Sequence, residues 1–309
     1  MATRAVSGVA GRSPIRTEAL ALSYPSDPGL PRHAFTVDVE DWYQSCIDYD
    51  AKISERVLAN VDRILGLLDD SGVKGSFFVQ GRVAEAFPKL VATLVSLGHE
   101  VQSHGYSHKP LFAMSRRALR DELERAKQTV EDAAGTPVTA FRAQDFSIVA
   151  SNVWALETLH EVGFELDSSI FPMQRPNYGI DKWPLAPHRI LLPDGGRILE
   201  VPVAIWSRGR FRLPVAGGGY FRVLPRQVIE RSLRGIEAGG RPAIIYCHPY
   251  EFNAAELADY KGVPRRLLVS QGLGRRWFPA RIQALLGAFS FGRFSDVLRA
   301  WGVPCESPS

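Results

Sequence analysis

The chain has only three cysteines, Cys46, Cys247 and Cys305, and they are scattered. They form no CxxC pair and no even framework, which argues against a disulfide scaffold and suits a reducing compartment. No run of eighteen apolar residues occurs, so no transmembrane helix is expected. No block of like charge resembles a nucleic-acid arm. The 37 Lys and Arg face 33 Asp and Glu, for a net charge of +4, and nucleic acid is not an expected partner. Residues 2–20 carry Arg4, Arg12 and Arg16 and no apolar core segment, so no secretory signal peptide is expected, and the expected location is the cytoplasm. Internal repeats and low-complexity tracts are absent as well. The densest basic stretches are Arg208, Arg210 and Arg212, then Arg265–Arg266 and Arg275–Arg276. An ordinary solvated face accounts for them first, an anionic substrate or a peripheral membrane contact second.

What the chain does have is length and alternation. With 309 residues, 45% of them hydrophobic, it can bury a large single core. Residues 1–32 are rich in small residues, Pro and Arg and read as a flexible arm. Order begins at the apolar run Ala34-Phe35-Thr36-Val37-Asp38-Val39, a buried strand. A helix follows from about Ser54, with Val57, Val61, Ile64, Leu65 and Leu68 at helical spacing. Further strands are expected at 75–79, 100–103, 139–141, 164–166, 199–203 and 243–247. Helices are expected at 83–97, from Ser115 to 133, at 151–162 and at 225–238. Residues 172–195 and the Gly217-Gly218-Gly219 run read as loops. The glycines lack the GxGxxG spacing of a dinucleotide site. Strands alternating with helices imply a parallel α/β architecture.

The polar residues that look chemical, Asp38, His104, Arg142, Asp167 and His248, all fall at or just past strand C-termini. In a barrel those ends converge on one face, which carries the active site. His104 and His108, four apart, would share one face of a helical turn and reach a single ion. A third ligand should be a carboxylate, and Asp38-Val39-Glu40-Asp41 offers three. Glu40 and Asp38 point to the same side of a strand, so one can ligate while the other activates water. His33, His99, His160 and His188 have no partner pattern and read as ordinary surface or helix positions. Trp42, Tyr43, Tyr220, Phe221 and Tyr250 flank the candidate site and suit either core packing or sugar stacking.

In this order, Phe35-Thr36-Val37-Asp38-Val39-Glu40-Asp41 and His104-Gly105-Tyr106-Ser107-His108 resemble the polysaccharide deacetylase family, the NodB-homology fold of the carbohydrate esterases. Phe141-Arg142-Ala143-Gln144-Asp145-Phe146-Ser147-Ile148, Asp167-Ser168-Ser169-Ile170-Phe171-Pro172, Gly217-Gly218-Gly219-Tyr220-Phe221-Arg222 and Tyr246-Cys247-His248-Pro249-Tyr250-Glu251 extend the likeness over about residues 34 to 300. They point to the branch of bacterial exopolysaccharide clusters with a VDVED-type opening. The resemblance implies a distorted, incomplete (β/α) barrel over residues 33–309, with a family-specific C-terminal extension. It implies Asp38 as catalytic base, Arg142 as its holder, His248 as catalytic acid and Asp167 as the group orienting His248. It implies one divalent ion, zinc by donor type, on His104, His108 and Glu40, with Asp41 as the alternative carboxylate. An N-acetylated saccharide, in a polymer or a lipid-linked or activated precursor, is the implied substrate, with Trp42, Asp145, Tyr220 and Tyr250 as contacts. Gln144 and Asp145 depart from the family pattern. They leave room for another amide substrate, or for a non-catalytic carbohydrate-binding protein.

Overall fold

The computed structural model describes residues 4–5 and 15–304. Residues 1–3 and 6–14 of the expected arm, and Cys305, lie outside the described residues. Its centre is strand β3 (His33–Val39), buried along its whole length. A continuous apolar run without alternation suits a strand covered on both faces. Strands β4 (Ser76–Val79), β5 (Glu100–Ser103), β6 (Ala140–Phe141), β7 (Leu166–Asp167) and β9 (Arg197–Glu200) follow β3 in parallel on one side. Strand β12 (Ile244–Cys247) pairs in parallel on the other. Helices α2 (Arg56–Asp70), α5 (Arg116–Ala134) and α6 (Ala155–Glu161) connect successive parallel strands. Helix α2 buries Val57, Val61, Ile64 and Leu68, the residues expected from their spacing. Helix α5 starts where Ser115 Oγ accepts the Ala118 N–H at 3.2 Å and stops at the left-handed Gly135.

Four expectations change. The single helix expected at 83–97 is two, α3 (Gly81–Ala86) and α4 (Pro88–Ser96), because Pro88 has no N–H to continue the first and suits the first turn of the second. The loop expected at 172–195 contains β8 (His188–Leu191), antiparallel to β9. Against β8 lies β2 (Arg16–Ala19), with Thr17 buried, and against β2 lies the two-residue strand Arg4–Ala5, so these parts of the expected arm belong to the sheet. The sheet is therefore mixed. The Gly217 region is not a plain loop but the start of α7 (Gly218–Val223). A Cβ on Gly217 would sit 1.7 Å from the Tyr246 carbonyl oxygen, so only glycine allows this approach. Beyond β9, the backbone bonds Ala204 N–H to Ile244 O (2.9 Å) and Tyr246 N–H to Ala216 O (2.7 Å) tie the chain to β12. No helix among the described residues is long and apolar enough to cross a membrane.

His33, His99 and His188 are buried, not surface residues. His33 Nδ1 accepts the Ala243 N–H and His99 Nδ1 the Gly75 N–H, each at 3.1 Å. Burial holds all three near 4, well below the usual 6.5. Glu237, 3.5 Å from His33 Nε2, pulls the other way without winning. Because the folded value lies below the unfolded one, this stability is complete above about 6.5 and is lost as pH falls toward 4. For a buried histidine such a shift is on the order of 3 kcal/mol. The unfolding temperature should therefore drop between pH 6.5 and 4. A profile that stayed level across that range in scanning calorimetry would contradict it.

Candidate metal centre and catalytic cleft

The parallel strands end on one side of the sheet, and the polar residues expected there line one cleft. Asp38, Glu40, His104, His108, Asp145, His248 and Tyr250 are among its walls. His104 follows β5, with its N–H bonded to the Val79 carbonyl at 3.0 Å. Its Nδ1 donates to the Arg142 carbonyl at 2.9 Å, which leaves Nε2 as the acceptor, 3.4 Å from Glu40 Oε2. His108 reaches the same carboxylate through a loop and not along a helical turn. Gly105 and His108 both have positive φ, 70° and 66°. Glu122 pins the loop by accepting the Tyr106 and Ser107 N–H groups, at 3.0 and 2.6 Å. One donor atom from each of Glu40, His104 and His108 lies within 4.8 Å of the others, the geometry of a group that could hold a metal ion.

Glu40 is buried, and its Oε2 faces both imidazoles without a hydrogen-bond partner. Oε1 accepts from the Tyr250 hydroxyl at 3.2 Å. Burial alone would raise the Glu40 carboxyl, but the imidazoles outweigh it and hold it well below its usual range. Burial would likewise lower His108, and Glu40 raises it instead. A buried carboxylate drawn between two imidazoles, with a free lone pair, fits a divalent ion. Asp41 does not join them. Oδ1 accepts the Tyr43 and Gln44 N–H groups at 2.9 and 3.1 Å, and Oδ2 accepts the Ser54 N–H at 2.9 Å and its hydroxyl. It is the N-cap of helix α1 (Trp42–Cys46).

Asp38 and Arg142 form the expected pair. Nη1 donates to Asp38 Oδ1 and to Thr36 Oγ1, both at 2.7 Å, and Nη2 to Ser168 Oγ at 3.2 Å. The guanidinium lies over the Phe78 ring and is fully buried. Asp167 is not brought to His248. It accepts from the Ser169 hydroxyl and backbone and shares a hydrogen bond with buried Glu200. Burial raises both carboxyls, and their mutual repulsion lifts Glu200 further. The group at His248 is Glu251. Oε2 meets Nδ1 at 3.1 Å and the His248 N–H at 3.0 Å, while Oε1 pairs with Arg222 at 3.0 Å. Burial alone would lower His248, but Glu251, then Glu40 and Asp38, raise it to about 9. Tyr250 stacks on the imidazole, with centroids 4.9 Å apart. The signal for Glu251 was its position three residues after His248, which brings it back under the ring.

The expected substrate contacts divide. Tyr250 and Asp145 line the cleft; Asp145 and Phe146 are both left-handed, with φ of 54° and 49°. Trp42 is 1% exposed and packs with Tyr250, Leu257 and Val263 away from the opening. Tyr220 neighbours Tyr178 but is not among the residues that line the cleft. Tyr178 and Asn177 line the cleft from the stretch read as a featureless loop, and Gln271 from the C-terminal part.

The polysaccharide deacetylase family model matches residues 47–161, and a domain of unknown function (DUF3473) matches residues 168–299. The peptidoglycan deacetylase of Helicobacter pylori is 30% identical over 112 residues, 36% of this chain and 36% of that protein. The peptidoglycan-N-acetylglucosamine deacetylase of Bacillus cereus is 29% identical over 96 residues, 31% of this chain and 35% of that protein. The chain thus spans about a third of the length of these curated relatives. A solved chain from Mycobacterium smegmatis, assigned to the polysaccharide deacetylases, superposes with a TM-score of 0.59 at 20% identity, over 94% of this chain and 100% of that one. The Puue allantoinase structure gives 0.61 at 15% identity, over 93% and 95%. At these identities the structures speak for the α/β fold alone. The family model and the curated relatives thus liken part of this chain to polysaccharide deacetylases.

Proposed function

We propose that the chain is a metal-dependent hydrolase that removes acetyl groups from an N-acetylated sugar, in a polysaccharide or a lipid-linked or activated precursor of the exopolysaccharide type. The observation that carries this reading is one cleft holding three separate devices: Glu40 with His104 and His108, Asp38 with Arg142, and His248 with Glu251. We read the backbone ties from residues 204 and 216 to β12 as closing the parallel strands into a distorted barrel around it.

Glu40, His104 and His108 would hold the ion, zinc by donor type. A divalent ion there supplies a more acidic water and a polarised amide carbonyl. The side chains do the rest. Asp38, oriented by Arg142, takes a proton from the attacking water. His248, kept charged by Glu251, gives a proton to the departing amine. The rings of Tyr178, Phe146 and Phe112 offer faces for a sugar, and Asp145 an acceptor for its hydroxyls. The test is acetate release from N-acetylglucosamine oligomers. Release is expected, abolished by chelation and restored by added zinc. No release from any acetylated sugar, with turnover of cyclic amides instead, would replace this reading by the amide-hydrolase alternative.

A further inference from the structure

Helix α9 (Arg265–Gly272) has no buried residue. Its half-buried Leu267 and Leu268 lie against the cluster of Trp42, Tyr250, Leu257 and Val263, so this helix roofs the wall that carries Tyr250. The outer side is apolar and uncovered. Val269 is 71% exposed, Leu273 59% and Trp277 60%. Val223, 52% exposed at the end of α7, belongs to the same region. Its neighbour Arg222 donates to the Gln271 carbonyl, and a Cβ on Gly274 would sit 2.2 Å from the Arg222 carbonyl oxygen. Single exposed apolar side chains need no explanation, but a group of them in one region does.

The charge of this region has one sign. From Lys261 to Ala288 the chain carries Lys261, Arg265, Arg266, Arg275, Arg276 and Arg281, and no acid. Arg275 and Arg281 are spent on backbone carbonyls. Lys261, Arg265, Arg266 and Arg276 are exposed. On α9, Arg265 and Val269 are four residues apart and share a face, and Leu273 is four further on. A nucleic acid would use these cations and leave the tryptophan and aliphatics in water. An anionic bilayer uses both: the apolar tips and the indole enter the headgroup boundary, and the guanidinium groups meet lipid phosphates.

We propose that residues 261–277, with Val223, form a docking surface for an anionic lipid bilayer. Gln271, from the same helix, lines the catalytic cleft, so docking sets the cleft mouth beside the headgroups. Lipid binding is independent of the deacetylase reading and is measured without turnover. The full chain is floated with vesicles of phosphatidylcholine alone, or with about a quarter phosphatidylglycerol, at low and high salt. Binding is expected to the anionic vesicles only and to weaken with salt. Arg265→Glu with Arg266→Glu should lower partitioning on the order of tenfold or more. Trp277→Ser with Leu273→Ser should also weaken it, at an unchanged unfolding temperature. Arg16→Glu with Arg197→Glu, an equal charge change on strands flanking β8 at the far edge of the sheet, should leave binding intact. No flotation of the wild type, equal loss from the distant pair, or concentration-dependent self-association that shields Trp277 from a quencher would each overturn the proposal.

Discussion

Asp38→Asn is expected to keep the bound metal and to lower turnover on the order of a hundredfold or more. Asparagine has the shape of aspartate and can still accept from Arg142 through its amide oxygen, so the contacts at Thr36 and Ser168 need not move. It cannot take a proton. Nothing at Glu40, His104 or His108 changes. The fully buried Arg142 does lose its counter-charge, so the unfolding temperature should fall too, and activity is read well below it. The contrast is with His104→Ala, His108→Ala and Glu40→Gln, each of which should lose metal and activity together. Asp41→Ala should keep the metal and cost about 1 kcal/mol of stability as a lost cap. Elemental analysis beside acetate release separates these outcomes. A metal-free Asp38→Asn protein, or one turning over at the wild-type rate, would remove Asp38 from the base role.

Glu251→Gln should move the high-pH limb of the rate profile to lower pH and reduce activity at neutral pH. Glutamine can still accept from His248 Nδ1, so the ring keeps its orientation, but the negative charge is gone. The carboxylate is the strongest influence raising His248, so without it the imidazolium loses its proton earlier. Asp167→Asn should leave this limb in place, because Asp167 spends its oxygens on Ser169 and Glu200. The two limbs are properties of coupled groups, which is why paired variants are needed to assign them. If Asp167→Asn shifted the limb and Glu251→Gln did not, the assignment drawn from resemblance would stand and the one from geometry would fail.

That exchange shows where sequence reading stops. The strand ends were legible because parallel strands leave a local signature, an apolar run followed by a polar residue, and β3 and β12 carry it plainly. Choosing between Glu40 and Asp41 was not. Adjacent residues at a strand end differ by where the chain turns next, and here α1 begins at once and takes Asp41 as its cap. The partner of His248 was equally hidden, because the resemblance implied Asp167 and only packing decides which acid faces Nδ1. Strands β2 and β8 escaped notice because they are short and follow or precede proline- and glycine-rich chain. The buried histidines escaped because nothing in the sequence marks an imidazole that accepts a backbone N–H.

The border between the two family matches, near residues 161–168, has a consequence for how such a chain can vary over evolutionary time. It contains β7, inside a continuous ladder. The stretch of unassigned function supplies β9 beside β7 and β12 beside β3, so it clasps the five strands β3 to β7 from both flanks. It also carries His248 and Glu251, whereas Asp38 and Glu40 precede both matches. Neither stretch is a portable module. A recombination event at that border would leave unpaired backbone on two strands and separate His248 and Glu251 from the cleft residues Asp38 and Glu40, which favours inheritance of the two stretches as one unit.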